Sequence, residues 1–181
     1  MISSKSFQNE VLLPLSRDFF ERHTVDVAQD LLGKVLVFNG FKGIISETEA
    51  YRGTDDPASH AHRGPTTRSR IMFEIPGISY IYLIYGMYYC LNVVTEKTGD
   101  PGAVLIRGLH LLMPAPLFLN GPGKICRQLK LTKEHHQIDL ITSPTFYIAD
   151  APKVHIFQET KRIGIQRGID KHWRFVLNEK A

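Results

Sequence analysis

Along this chain the apolar positions change period every ten residues or so, and each change marks an element. Residues 1–15 have no clear period and are expected to form an N-terminal arm, with 16–181 as a single domain. Ser16 is placed to cap a short helix over 17–22, and Thr24 to cap a second, with Asp26 in its first turn and Gly33 ending it after Leu31 and Leu32. The β-rich runs 34–38 and 41–51 flank Asn39-Gly40, which predicts a hairpin. Residues 52–66 are rich in Gly, Pro, Asp, Thr and His and read as an irregular loop long enough to be functional. Thr66 or Thr67 is placed to cap a short helix over 68–73, stopped by Pro76-Gly77. Residues 79–84 and 87–95 predict a second hairpin with Tyr85-Gly86 at its tip.

Beyond the turn residues 99–102, a strand is expected over 103–107, then an apolar segment 108–119 broken by Pro114 and Pro116. Asn120-Gly-Pro-Gly-Lys124 opens a helix through Leu129, and several short strands are expected between Thr145 and Leu177. Short strands mixed with short helices, without βαβ spacing, predict an α+β domain. Its expected form is a short, mostly antiparallel sheet closing into an open roll or barrel-like core, with short helices around it and a protruding β-hairpin.

Composition narrows the class. At 181 residues, 43% hydrophobic and 22% charged, the chain can bury a core, which excludes collagen-like, disordered and disulfide-stapled proteins. The formal net charge is +4, unevenly spread: residues 1–60 hold six basic and nine acidic side chains, the remainder sixteen and nine. A polyanionic partner would therefore meet the downstream two-thirds. Cys90 and Cys126 have no C-x-x-C spacing, which suggests neither a zinc site nor a disulfide framework and fits a reducing compartment. No signal peptide, transit peptide or membrane-length apolar run is recognisable, so a cytoplasmic setting is expected.

Two segments concentrate candidate chemistry. Alternation along 44–51 puts Glu47, Glu49 and Tyr51 on one face and Ser46, Thr48 and Ala50 on the other. This is either a solvated face with its acids paired to Arg, or a carboxylate general base beside an aromatic platform. The second hairpin holds five tyrosines between Tyr80 and Asn92, and alternation sends Tyr80 and Tyr82 to the face opposite Tyr85. Tyrosines pack well in strands, but a large aromatic at a tight turn beside Gly86 and Met87 is exposed for no folding reason. An exposed apolar wedge suits insertion between base pairs.

The strings Glu47-Thr-Glu-Ala-Tyr51, Asp56-Pro-Ala-Ser-His60, Met72-Phe73, Pro76-Gly77, Tyr80-Ile-Tyr82, Tyr85-Gly-Met-Tyr88, Cys90-Leu-Asn92, Val104-Leu-Ile-Arg107 and Asn120-Gly-Pro-Gly-Lys124 together resemble the alkyladenine (3-methyladenine) DNA glycosylase family in order and spacing. The resemblance runs from about Phe19 to Leu131 and resumes at Arg162-Ile-Gly-Ile165 and Trp173-Arg-Phe175. It implies base excision from duplex DNA. Glu49 matches the acid that deprotonates a water, with Arg107 and a backbone carbonyl near Ile165 helping to hold that water, and Glu47 structural. Tyr51 resembles the aromatic on one side of a flipped base, His60 and Tyr82 those on the other, and Asn92 the residue that crowds the exocyclic amino group of normal guanine. Tyr85, with Met87 beside it, matches the intercalating wedge.

Arg63, Arg68, Arg70, Gly123 and Lys124 are candidate DNA-backbone contacts, and the Gly-Pro-Gly-Lys turn could offer backbone N–H groups to a phosphate. Arg127 and Lys130 extend the same basic set, whereas His62 and His135-His136 read as surface. The family resemblance departs over 108–119, shorter here than in the family, so loops near the DNA edge are expected to differ. The expectation is a monomeric, monofunctional glycosylase of a bacterial cytoplasm, nucleoid-associated, acting on damaged purines without metal or organic cofactor. The alternative is a protein that captures flipped purines without cutting them. A carboxylate beside a polyanionic ligand argues against that. A zinc deaminase would need H-x-E with P-C-x-x-C, and a helix-hairpin-helix glycosylase a mostly helical chain; neither pattern is present.

Overall fold

The computed structural model describes residues 12–178. Most of the expected arm, 1–11, lies outside that range; of the rest, Pro14 bridges Ala149 and Leu15 is buried. Two short helices, α1 (Arg17–Phe20) and α2 (Thr24–Asp30), precede the first hairpin, β1 (Val35–Phe38) and β2 (Phe41–Tyr51). Asn39 and Gly40 both take positive φ, 44° and 86°, the twist-matched turn that Asn-Gly favours. The long loop 52–66 follows, then a 3₁₀ turn at Arg70–Phe73 where a helix over 68–73 was expected. Thr66 Oγ1 accepts from the Ser69 N–H at 3.1 Å and closes a separate turn ahead of it.

The second hairpin is β3 (Ser79–Ile84) and β4 (Tyr88–Val94), with Tyr85 and Gly86 at positive φ and Met87 completing a three-residue tip. β5 runs from Ala103 to Met113, well past the expected end at Arg107, and turns at the prolines into β6 (Leu117–Asn120). The apolar segment is thus itself a hairpin: its prolines sit at and beside the turn, where no ladder N–H is lost. Helix α3 (Pro122–Leu129) follows, and β7 (Phe146–Ala149), β8 (Phe157–Thr160) and β9 (Arg174–Leu177) complete the sheet.

All pairings are antiparallel, in the order β3-β4-β5-β2-β1-β7, with β6 on β5, β9 on β2 and β8 on β9. β2 and β5 are long enough to change partners along their length: β2 pairs first with β1 and then with β9, β5 first with β4 and then with β6. The sheet curves into a half-barrel, and the domain is α+β. Its core is filled by Phe20, Leu31, Leu32, Leu36, Ile45, Leu91, Ile106, Leu109, Ile125, Phe146 and Phe175. Each such side chain contributes roughly 1.5–3 kcal/mol by leaving water.

Two caps differ from expectation. Ser16 stands before α1 but makes no side-chain cap hydrogen bond. His23, not Thr24, precedes α2; Thr24 begins the helix, donating from its N–H and Oγ1 to the Glu96 carboxylate at 2.8 and 2.7 Å. A distant acid thus supplies the negative charge that a helix start favours. Among the described residues no helix is long and apolar enough to cross a membrane.

Candidate active site

Glu49 is fully buried on β2, held from its own strand and from two other parts of the chain. Its Oε2 accepts from the Tyr51 hydroxyl at 2.7 Å, and its Oε1 accepts from the Ile163 backbone N–H at 2.7 Å. Arg107 Nε on β5 lies 3.5 Å from Glu49 Oε1 and donates to Glu47 Oε1 at 3.0 Å. Arg174 Nε on β9 donates to the same Glu47 oxygen at 2.6 Å. Glu47 therefore works as an anchor for two arginines, and alternation leaves Glu49 beside one of them. Burial pushes the Glu49 carboxyl above the ordinary range, against the pull of Arg107, the Ile163 amide and the Tyr51 hydroxyl.

That shift has a sign. Ionised Glu49 costs the folded state free energy above its raised pKa, and the cost vanishes as pH falls through that value toward 4.5, where the unfolded side chain protonates. Relative to Glu49→Gln, the native protein is expected to melt lowest near neutral pH, with the gap closing in acid. Paired melting curves between pH 5 and pH 8 check this; a gap that widens in acid contradicts it.

Tyr51, Arg107 and Ile163 carry this acid to the wall of a cavity of about 560 Å³. Alternation along the second hairpin turns Tyr80, Tyr82 and Ile84 from β3, and Tyr88, Cys90 and Asn92 from β4, into it. His60, Ile165, Gly123 and Lys124 complete its rim from other segments. The His60 ring meets Tyr82 edge-on at 4.8 Å, and its Nδ1 is hydrogen-bonded to the Tyr80 hydroxyl at 2.8 Å. Desolvation of its ring, helped by the charge of Arg68, holds His60 below the usual imidazole range. Asn92 is buried and donates from Nδ2 to Tyr80 O at 3.1 Å. Cys90, pushed up to about 11 by burial, stays a thiol in the wall. Burial likewise raises Tyr51 and Tyr82, which remain neutral phenols.

At the tip Tyr85 is 79% exposed and Met87 68% exposed, with Tyr88 and Leu83 also showing apolar surface. Strand alternation ends at Ile84, so Tyr85 joins the cavity mouth instead of facing away from Tyr80 and Tyr82 as the sequence pattern suggests. Lys124 donates to Asn120 Oδ1 at 2.6 Å. Gly123 packs so closely on Tyr88 that a Cβ there would lie 3.1 Å from it, which sets α3 directly against the tip end of the hairpin.

Residues 18–181 match the family model of methylpurine-DNA glycosylase. The chain belongs to the methylpurine-DNA glycosylase family. Curated relatives agree over nearly their whole lengths. A protein of Wolbachia sp. subsp. Brugia malayi is 53% identical over 169 residues, 93% of this chain and 99% of its own. One of Sodalis glossinidius is 55% identical over 161 residues, 89% and 95% of the two chains, and one of Rickettsia peacockii is 51% identical over 168, 93% and 92%. All three bear the name "Putative 3-methyladenine DNA glycosylase".

The residues singled out in the sequence divide by place. Tyr51, His60, Tyr82, Asn92, Tyr85, Arg107, Ile165, Gly123 and Lys124 line one cavity, with Glu49 immediately behind its wall. Arg63, at the end of the long loop, and Arg68 and Arg70, just after it, are exposed. Arg68 also lies 5.9 Å from the centre of the Tyr82 ring. Arg127, on α3, lines the cavity as well. Sequence reasoning misses the Ile163 amide as a partner of Glu49, because a backbone donor has no signature of its own. It also misses Asp56 with Arg162, two residues visible only as parts of longer strings. Among the described residues no three His, Cys, Asp or Glu side chains converge as metal ligands would.

Proposed function

We propose that this protein is a monofunctional DNA glycosylase that binds duplex DNA as a monomer, flips a damaged purine into the aromatic cavity and hydrolyses its N-glycosidic bond with a water activated by Glu49. The product is an abasic site. The observation that carries the reading is a carboxylate of raised pKa, fully buried behind the wall of a cavity lined with Tyr51, His60 and Tyr82. Family membership and the relatives' names support the substrate class. Those relatives are bacterial, which supports a nucleoid-associated, cytoplasmic setting.

The physics assigns each part a step. Extruding a base costs a few kcal/mol of stacking and pairing, and base–aromatic contact returns roughly 1–3 kcal/mol for each ring engaged. Tyr51 takes one face of the purine, with His60 and Tyr82 on the other, while Tyr85 fills the gap left in the stack and Met87 supports it. A purine alkylated at a ring nitrogen is cationic, so electron-rich rings favour it over a normal base, and it leaves as a neutral base without a general acid. Asn92 crowds the exocyclic amino group of guanine. Glu49 takes a proton from water as that water attacks C1′, and its charge stabilises the developing oxocarbenium. Arg107 and the carbonyl of Ile165 hold the water. The exposed cations Arg63, Arg68 and Arg70, with Lys124 and the Gly123 amide at the cavity rim, meet phosphates.

Incubation with duplex carrying a methylated or deaminated purine should release the free base and leave a strand that breaks only on alkali treatment. Borohydride should trap no covalent adduct; a trapped adduct, or a strand cut without alkali, would contradict a monofunctional enzyme. Tyr85→Ala is expected to slow release from duplex by about tenfold or more and to leave release from single-stranded substrate unchanged. Equal slowing on both substrates would assign Tyr85 to the pocket instead of the wedge.

A further inference from the structure

Asp56 and Arg162 form an ion pair whose side chains are both wholly buried. Arg162 Nη1 donates to Asp56 Oδ2 at 2.6 Å and Nη2 to Oδ1 at 2.7 Å, a two-pronged fit of fork to carboxylate. Nη1 also donates to Ala50 O at 2.8 Å, and Nη2 to Gly168 O at 3.3 Å. Asp56 additionally accepts from the backbone N–H of Arg52 and of Ala58, which orders the loop carrying His60. The guanidinium lies 4.7 Å from the centre of the Tyr51 ring and 5.3 Å from that of Trp173.

Each of these contacts touches a neighbour of the candidate chemistry. Ala50 stands between Glu49 and Tyr51 on β2. Arg162 immediately precedes Ile163, whose N–H reaches Glu49. The loop held by Asp56 carries His60, which lines the same cavity as Tyr51. Burial of a pair like this is a poor source of stability, because desolvation offsets most of the attraction; what a two-pronged pair supplies is fixed geometry.

Resting on the activity proposed above, we infer that Asp56 and Arg162 are positioning residues for base excision: together they back the Tyr51 ring and fix the Ile163 amide on Glu49. Arg162 is wholly buried and stays out of the cavity lining. It fills one face of Tyr51, so an entering purine finds only the other, and it keeps the 161–168 segment from carrying the amide away. Glu49 is faced by Glu47 and Tyr51 from its own strand, by Arg107 from β5 and by Tyr82 and Cys90 from the second hairpin, with Arg174 of β9 beyond Glu47. Losing the Ile163 donor removes one of the influences that hold the Glu49 carboxyl down. Its pKa then rises, and the acidic limb of the rate profile moves to higher pH.

The test pairs D56N/R162Q, which removes both charges together and so leaves neither buried ion alone, with R162K, which keeps the charge and loses the fork. Folding is checked by melting. Trp173, the chain's only tryptophan, reports locally on the pair by its emission. Single-turnover base release is followed across pH on one methylated or deaminated duplex, and binding is measured on that duplex and on duplex with an abasic site. The expected result is release slowed by about 10²-fold in both variants, an acidic limb displaced upward, weakened affinity for the lesion and unchanged affinity for the abasic duplex. A folded double variant with the native rate and profile overturns the inference. So does a slowed variant whose acidic limb stays in place, which makes the pair merely structural, or an R162K that behaves as wild type, which makes charge alone sufficient. If wild type releases no base, the proposed activity fails while the pair is still read: unchanged lesion affinity and Trp173 emission in the double variant overturn it, and loss of lesion affinity alone supports it.

Discussion

Glu49→Gln is expected to slow base release by about 10²–10⁴-fold while the variant still binds the lesion duplex. The substitution keeps the shape and burial of the side chain and removes its ability to take a proton from water. The two donors that meet Glu49, the Tyr51 hydroxyl and the Ile163 amide, each address a different carboxylate oxygen, so the ionised acid is held in one orientation. A neutral amide presents an N–H₂ to one of those donors and loses the field that favours an oxocarbenium. Stacking residues are untouched, so ground-state binding persists. Single-turnover release and fluorescence binding on the same duplex separate the two effects, and equal loss of both would point to collapse of the pocket.

Arg107→Gln is expected to cost about 3–5 kcal/mol of stability, because the two carboxylates that face the guanidinium are largely buried and remain behind. Glu47 keeps Arg174 at 2.6 Å, but Glu49 loses its only cationic neighbour within 4 Å among the described residues. Its pKa, already raised by burial, rises further, so the acidic limb of any surviving activity moves to higher pH. Urea unfolding measures the first effect and a pH–rate profile the second. A variant of native stability with an unmoved profile would show that Glu47 and Arg174 carry the electrostatics alone.

These effects depend on contacts that the sequence makes legible to different degrees. Alternation along β2 puts Glu47, Glu49 and Tyr51 on one face, and Asn39-Gly40 fixes where the strand begins; both are local signals and both appear in the fold. The tyrosine-rich hairpin is equally local, and its tip is indeed the exposed Tyr85. The segment 108–119 is misread because Pro114 and Pro116 suggest a break, whereas a strand needs ladder hydrogen bonds only where a partner lies, and β6 supplies the partner on the far side of the turn. Thr24 is misread because the acid that satisfies α2 comes from Glu96, far along the chain. The Asp56–Arg162 pair spans an even longer separation. No periodicity encodes such a pairing, and only the folded half-barrel brings β2, the long loop and the 161–168 segment together.

The most direct test of the account is to follow binding and base release by the wild-type protein on one duplex oligonucleotide carrying an alkylated purine or hypoxanthine, with enzyme in excess. Binding is expected to be followed by release of the free base, leaving an intact strand that alkali cleaves at the lesion. Tight binding to both lesions with no base released from either would contradict it, and would make this protein one that captures flipped purines without cutting them.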